Sequence, residues 1–167
     1  MPRRVLFILF LLLCVLEVKA QRIAVSTNVV DWAILAPNAE IEVSVDQHNT
    51  VALGASVAPW NVSSKYSLSK LTISPEYKYW FTSPYFGHFL GAGVEYAAYD
   101  LYWNSSKYSG NAFSAGIMYG YSIIISQKWN IVPHIALGGI CDIRSGVPIA
   151  FYPAVTKLGI NFQMVLR

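Results

Sequence analysis

The chain is 167 residues long, 54% hydrophobic and 14% aromatic, with a formal net charge of +3 and a mean hydropathy of +0.41. That is the apolarity of a membrane protein, yet beyond residue 20 no apolar run approaches the ~18 residues a spanning helix needs, which excludes helical spans. Arg3, Arg4 and Lys19 against Glu17 hold most of the charge excess, so the rest is near neutral and nothing argues for nucleic acid as a partner.

At the amino end, Arg3 and Arg4 precede the uninterrupted apolar run Val5 to Leu16, followed by Glu17, Val18-Lys19-Ala20 and Gln21. A basic start, a short apolar stretch and a small last residue describe a cleaved signal peptide, expected over residues 1–20. A lipid-bearing Cys14 would need a small residue before it, and Leu13 stands there instead. Residues 21–167 read as one domain without a linker or a low-complexity tail.

A transmembrane β-barrel reconciles high apolarity with the missing spans, because its strands alternate lipid-facing and interior residues and dilute the signal in any window. The first expected strand is Ile23 to Val30. In Ala39 to Asp46, the residues Ala39, Ile41, Val43 and Val45 oppose Glu40, Glu42, Ser44 and Asp46. Val51 to Ala58 divides into large outside and small inside. In Leu71 to Phe81, the outward set Leu71, Ile73, Pro75, Tyr77, Tyr79 and Phe81 opposes Thr72, Ser74, Glu76, Lys78 and Trp80. Leu90 to Tyr99 and Ala112 to Ile123 repeat the pattern with glycines on the inward face, Ile131 to Asp142 is less clean, and Lys157 to Leu166 restores it. The sum is an all-β, eight-stranded antiparallel up-and-down transmembrane barrel.

Connections of such barrels alternate between short periplasmic turns and longer outer loops. The inner set is Gln47 to Asn49, Thr82 to Gly87 and Ser126 to Asn130; the outer set is Asp31 to Asn38, Pro59 to Lys70, Leu101 to Gly110 and Arg144 to Ala154. Aromatic residues gather near strand ends, and Trp32, Trp60, Trp80, Phe81, Trp103 and Trp129 are expected to form interfacial girdles.

Glu40, Glu42, Glu76, Lys78, Glu95, His134 and Lys157 share the inward parity. An eight-stranded barrel has interior room for side chains only, which leaves none for a wide channel. Buried charges need partners, so these seven are expected to form an internal ion-pair and hydrogen-bond network, with the lysines among the glutamates. Its default role is to plug and stabilise the barrel, with a proton or small-ion path as the other reading. A lone interior histidine belongs to such a network more readily than to a catalytic pair. Gly91, Gly93, Gly116, Gly120, Gly138 and Gly139 have no helix after them, so they make no phosphate loop and imply no cofactor; they allow close packing and bending. Beyond residue 20 Cys141 is the only cysteine, so neither an internal disulfide nor a cysteine-rich metal site can form. Asn61-Val62-Ser63 and Asn104-Ser105-Ser106 match the glycosylation acceptor pattern by chance, and the strings Ser63-Ser64-Lys65-Tyr66 and Ser105-Ser106-Lys107-Tyr108 echo each other.

Thr27-Asn28-Val29-Val30-Asp31-Trp32 with Pro37 to Glu42, then Pro75-Glu76-Tyr77-Lys78-Tyr79-Trp80-Phe81, then Gly87-His88-Phe89-Leu90-Gly91, and Tyr119 to Ser122 with Trp129-Asn130, resemble a family of small, functionally uncharacterised outer-membrane proteins common in Bacteroidetes. The similarity covers most of residues 21–167. It implies a bacterial outer-membrane location with outer-membrane lipid and the barrel assembly machinery as partners. Some members of that family are encoded near fimbrial or surface-structure genes, which makes a surface or fimbrial protein a candidate partner. The final Met164-Val165-Leu166-Arg167 departs from the aromatic ending of general outer-membrane barrels, while Phe162 keeps the outward face.

The expected function is therefore a non-enzymatic envelope protein with a plugged polar interior, stabilising the membrane or presenting loops to a surface partner. A lipid-modifying outer-membrane enzyme is the alternative, but it would carry its reactive groups on the lipid-facing or rim surface, whereas the His and Glu residues here mostly point inward. A soluble periplasmic barrel holding an apolar ligand would reverse the faces, with large apolar residues inside and charges outside.

Overall fold

The computed structural model describes residues 22–166 other than 34, 64–65, 104–105 and 145–149. The expected signal peptide, residues 1–20, lies outside the described residues.

Alternating side chains leave a strand one face to bury, and a sheet of such strands removes its free edges by curling until first and last strands pair. That is the fold here: β1 (Ile23–Asn28), β2 (Asn38–Ser44), β3 (Asn49–Ser63), β4 (Tyr66–Trp80), β5 (Gly87–Trp103), β6 (Ser106–Ile124), β7 (Trp129–Arg144) and β8 (Ala150–Leu166) follow one another around a closed barrel. All neighbours are antiparallel, and β1 closes on β8 through a register running from Ile23↔Leu166 to Asn28↔Asn161. One end of the barrel, the turn end, carries the short β2–β3, β4–β5 and β6–β7 connections. The opposite, hairpin end carries the β1–β2 connection and the tips of the other three hairpins.

Several boundaries differ from expectation. The first strand stops at Asn28 rather than Val30, and a five-residue helix, α1 (Val29–Ala33), follows it. The segments read as long outer loops, Pro59 to Lys70 and Leu101 to Gly110, are mostly strand: Ala58↔Lys70, Pro59↔Ser69 and Leu101↔Tyr108 pair in the ladders. Likewise β7 runs to Arg144 and β8 starts at Ala150, within the expected loop Arg144 to Ala154. Serine, lysine and asparagine on both faces erase the period-2 signal, but backbone N–H and C=O groups still pair without it. β3 to β8 therefore reach 15 to 19 residues, against 6 and 7 in β1 and β2.

At the turn end, local chemistry sets each turn. Asp46 Oδ1 accepts the His48 and Asn49 N–H groups at 2.8 Å, and Asn49 Nδ2 donates to Oδ2 at 2.6 Å. These bonds, the His48 N–H first, hold the exposed Asp46 carboxyl below its usual pKa. The turn is thus tightest above the ordinary carboxylate range and loosens as pH falls through the folded value. In the β4–β5 connection the Phe86 N–H donates to Ser83 O at 3.0 Å across Pro84 and Tyr85. Tyr85 has φ +68°, where glycine is usual. That backbone turns its ring back under the barrel. Its hydroxyl donates to Arg22 O at 2.8 Å, while its carbonyl accepts from Ser122 Oγ and Asn130 Nδ2.

The lumen is layered. At the turn end, Ala24, Trp80, Tyr85, Phe89, Met118, Val132 and Ala136 pack into an apolar floor. Charged residues occupy the middle, and a polar cavity the hairpin end. Phe89 finds its place because Gly120 faces it across β5 and β6: a Cβ at position 120 would stand 2.5 Å from the ring. On β8 a register shift opposite Ala136 and Leu137 puts Thr156 and Lys157 side by side, so that Lys157 keeps its inward aim while the strand beyond changes phase. Outside, the same strands are apolar: Ile41, Leu53, Ile117, Leu137 and Leu158 are all more than half exposed.

Gly120→Ala should lower stability by ~1–3 kcal/mol through overpacking against Phe89, read by urea unfolding with tryptophan fluorescence. Adding Phe89→Leu should return part of the loss; a strictly additive double variant would mean that Gly120 does not seat this ring.

Candidate functional site

Three strands build the charged layer. β2 supplies Glu40 and Glu42, two residues apart and so on one face, and β4 supplies Glu76 and Lys78 in the same way. Between them β3 offers only small inward residues at this height: Ala52 stands between Glu42 and Glu76 in the register, and Gly54 between Glu40 and Ser74. The long side chains of β2 and β4 meet across that low wall.

Lys78 Nζ lies 2.8 Å from Glu40 Oε1, 2.9 Å from Glu42 Oε2 and 3.5 Å from Glu76 Oε2. Lys157, arriving from β8, approaches Glu40 Oε2 at 3.3 Å and also pairs with Glu76. Two ammonium groups thus bridge three carboxylates. Thr50 Oγ1 donates to Glu42 Oε1 at 2.5 Å, Gln163 Nε2 to Glu42 Oε2 at 3.3 Å, and Trp80 Nε1 to Thr50 Oγ1 at 3.0 Å, which ties the ions to the apolar floor. Lys78 Nζ also stands 5.7 Å from the Phe89 ring centroid, within cation–π range. Withdrawing such charges from water costs several kcal/mol per ion, and only dense pairing of this kind offsets it.

Five of the seven residues expected in the interior network therefore meet: Glu40, Glu42, Glu76, Lys78 and Lys157. Glu95 stands apart, 3.7 Å from Lys70 in a partly exposed pair, which is worth little in itself. His134 is buried at 6% exposure, its Nδ1 3.1 Å from Val132 O, and it makes no ion pair among those described. Lys70 was missed because it fell in an expected loop, and Thr50 because it sat at a turn boundary. Gln163 and Trp80 carried the signal, inward parity, that pointed to the interior.

Of the expected aromatic girdle, Trp80 requires correction: its exposure is 0%, deep in the floor. Its inward parity outweighs its place at a strand end, because Thr50 supplies an acceptor for the indole N–H. Trp32 and Phe81 are exposed, and Trp129 is exposed with its ring stacked on Phe162 at 4.7 Å. The side chains of Trp60 and Trp103 lie outside the described residues.

Above the ions is a cavity of about 350 Å³, lined among others by Asp31, Glu40, Lys70, Glu95, Lys157 and Asn161. The expectation of an interior with room for side chains only holds at the floor and fails here, because β3 contributes Gly54 and Ser56 and β4 contributes Thr72 and Ser74, all too small to fill the hairpin half. Burial pushes the Asp31 carboxyl above its usual pKa, in spite of Lys157 and Lys70 nearby. Among the described residues no group of three or more His, Cys, Asp and Glu could hold a metal ion. Chemically, this is a site for holding charge, floored by a fixed ion cluster and walled by hydroxyls and amides.

Lys78→Met should cost ~3–5 kcal/mol, because it leaves carboxylates buried without their cation. Glu42 has Lys78 as its one cation among the described pairs, whereas Glu40 and Glu76 also share Lys157. Glu42→Gln should accordingly rescue Lys78→Met better than Glu76→Gln does, in a double-mutant cycle followed by urea unfolding.

A family model described as a protein of unknown function (DUF3575) matches residues 6–142. No curated protein and no solved structure matches the chain.

Proposed function

The chain belongs to the DUF3575 family of proteins of unknown function, and within it we propose a non-enzymatic barrel of the bacterial outer membrane whose plugged lumen makes it a structural or surface-presenting element of the envelope. The observation that carries this reading is the polarity of the wall. Ile41, Leu53, Ile117, Leu137 and Leu158 face outward, while Glu40, Glu42, Glu76 and Lys78 are at least nine-tenths buried inside. Water would favour the reverse, and lipid favours this. A soluble barrel for an apolar ligand would need its large apolar side chains within, where here the floor is already packed by Trp80, Tyr85 and Phe89.

Aromatic rings support the same reading. Phe81, Phe86, Tyr119, Tyr121 and Trp129 ring the exterior near the turn end, and Tyr96, Phe113 and Phe151 face outward nearer the hairpin end. Such amphipathic belts anchor barrels at the two membrane interfaces. The turn end is then periplasmic, and the hairpins project outward to meet a surface partner, for which the family resemblance suggests a fimbrial protein. Outer-membrane lipid and the barrel assembly machinery are the partners this reading requires. A lipid-modifying enzyme finds less support, since the inward Glu and His groups do not meet the lipid face.

The direct test is a heat-modifiability gel on the native outer-membrane fraction: the folded barrel should migrate differently before and after boiling, and its absence from that fraction would overturn the proposal. Ile117, 64% exposed, sharpens it. Ile117→Lys should destabilise insertion by ~2–4 kcal/mol at the bilayer midplane, whereas Ser114→Lys, on the inward face, should be tolerated; equal folding of the two in lipid vesicles would contradict a lipid-facing wall. In planar bilayers the purified protein should show no large stable conductance, because the floor and ion cluster close the lumen, and porin-like currents would argue for transport instead.

A further inference from the structure

The hairpin-end cavity carries an inference that goes beyond the envelope role and does not depend on the membrane. Around this cavity and its floor, the carboxylates Asp31, Glu40, Glu42, Glu76 and Glu95 outnumber the ammonium groups of Lys70, Lys78 and Lys157 by two. The surplus is not spread evenly. Glu40, Glu42 and Glu76 share two lysines in tight geometry, while Asp31 makes no ion pair among those described, with Lys157 and Lys70 acting on it from further off, and Lys70 meets Glu95 no closer than 3.7 Å.

A second observation is independent of charge. Asn161 is 5% exposed and lines the cavity; its Nδ2 donates to Ser26 Oγ at 3.3 Å, and its Oδ1 has no hydrogen-bond partner among the described residues. The other two buried side-chain atoms in this condition are Glu76 Oε2 and His134 Nε2. Neither of these residues lines the cavity, and Glu76 Oε2 faces Lys78 Nζ at 3.5 Å. Leaving a buried acceptor unpaired costs ~1–3 kcal/mol, so Asn161 Oδ1 on the cavity wall is set for a donor.

We propose that the cavity is a binding site for a small organic ammonium ion, with Asp31 and Glu95 supplying the charge and Asn161 Oδ1 accepting an N–H. An alkylammonium brings positive charge to offset the carboxylate surplus and an N–H for Asn161 Oδ1. A metal ion fits less well, because no cluster of three ligating side chains converges among the described residues. The volume of about 350 Å³ lies at the small end of ligand sites and suits a short chain rather than a lipid or a peptide. Burial raises the Asp31 pKa against the opposing pull of Lys157 and Lys70, which agrees with a partly desolvated carboxylate that a bound cation would stabilise.

The test is calorimetric titration of the purified, refolded barrel with 1,4-diaminobutane, using 1-butylamine, butane-1,4-diol and calcium chloride as comparisons. The diamine should bind with one-to-one saturation, the monoamine at least about tenfold more weakly, and the diol not at all. Asp31→Asn and Glu95→Gln should each weaken diamine binding about tenfold or more, with heat-modifiability showing that the variants are folded. If Asp31→Asn does not fold, Glu95→Gln decides alone. Absence of saturable amine binding would overturn the proposal. Equal affinity in the folded variants would do the same, as would calcium binding that the diamine cannot displace.

Discussion

Burying an ammonium group inside a barrel is the constraint around which this structure is arranged. Lys78 lies in the lumen with three carboxylates, two of them on β2, whose residues precede it by 38 and 36 positions in the chain. A slip of one residue in the β2–β3 or β3–β4 ladder would turn its side chain, or its partners, to the outside. The ion cluster therefore specifies register as well as satisfying charge. Lys157, which joins Glu40 and Glu76 across separations of 117 and 81 residues, extends the same condition to β8 and so to the closure of the barrel.

The cluster is supported from below. Trp80, Thr50 and Gln163 connect Glu42 to the apolar floor, and Tyr85 seals that floor by bonding to the backbone at Arg22 and Glu42 and accepting from β6 and β7. One turn residue in a left-handed conformation thus touches elements from both halves of the chain. The floor, the ions and the cavity follow one another along the barrel axis, and each layer depends on small residues, such as Ala52, Gly54 and Gly120, that let a neighbour's longer side chain cross.

Where alternation was strong the sequence could be read almost residue by residue. Glu40 and Glu42 among Ala39, Ile41 and Val43 leave no doubt about which face is buried, and the eight-strand count follows from repeating that reading. It failed where the physical signal itself is missing. Serine- and lysine-rich strand ends pair through the backbone alone, so Lys70 passed for a loop residue. Trp80 carried two signals, inward parity and a strand-end position, and only the acceptor at Thr50 decides between them. The tuck of Tyr85 and the shift that sets Thr156 beside Lys157 have no signature in a single sequence, because both depend on what the neighbouring strand provides.

The unequal strand lengths leave a last consequence. β3 beyond Val57 and β8 before Ile160 extend past the short β1 and β2, so among the described residues each has a ladder on one side and an open border on the other. Such borders recruit foreign strands and seed aggregation. Both carry a proline here, Pro59 two residues beyond Val57, whose own N–H points to that border, and Pro153 opposite Gly139. Proline has no N–H to offer an incoming chain. The barrel can thus raise a tall, one-sided wall into its surroundings without inviting its neighbours to zip onto it.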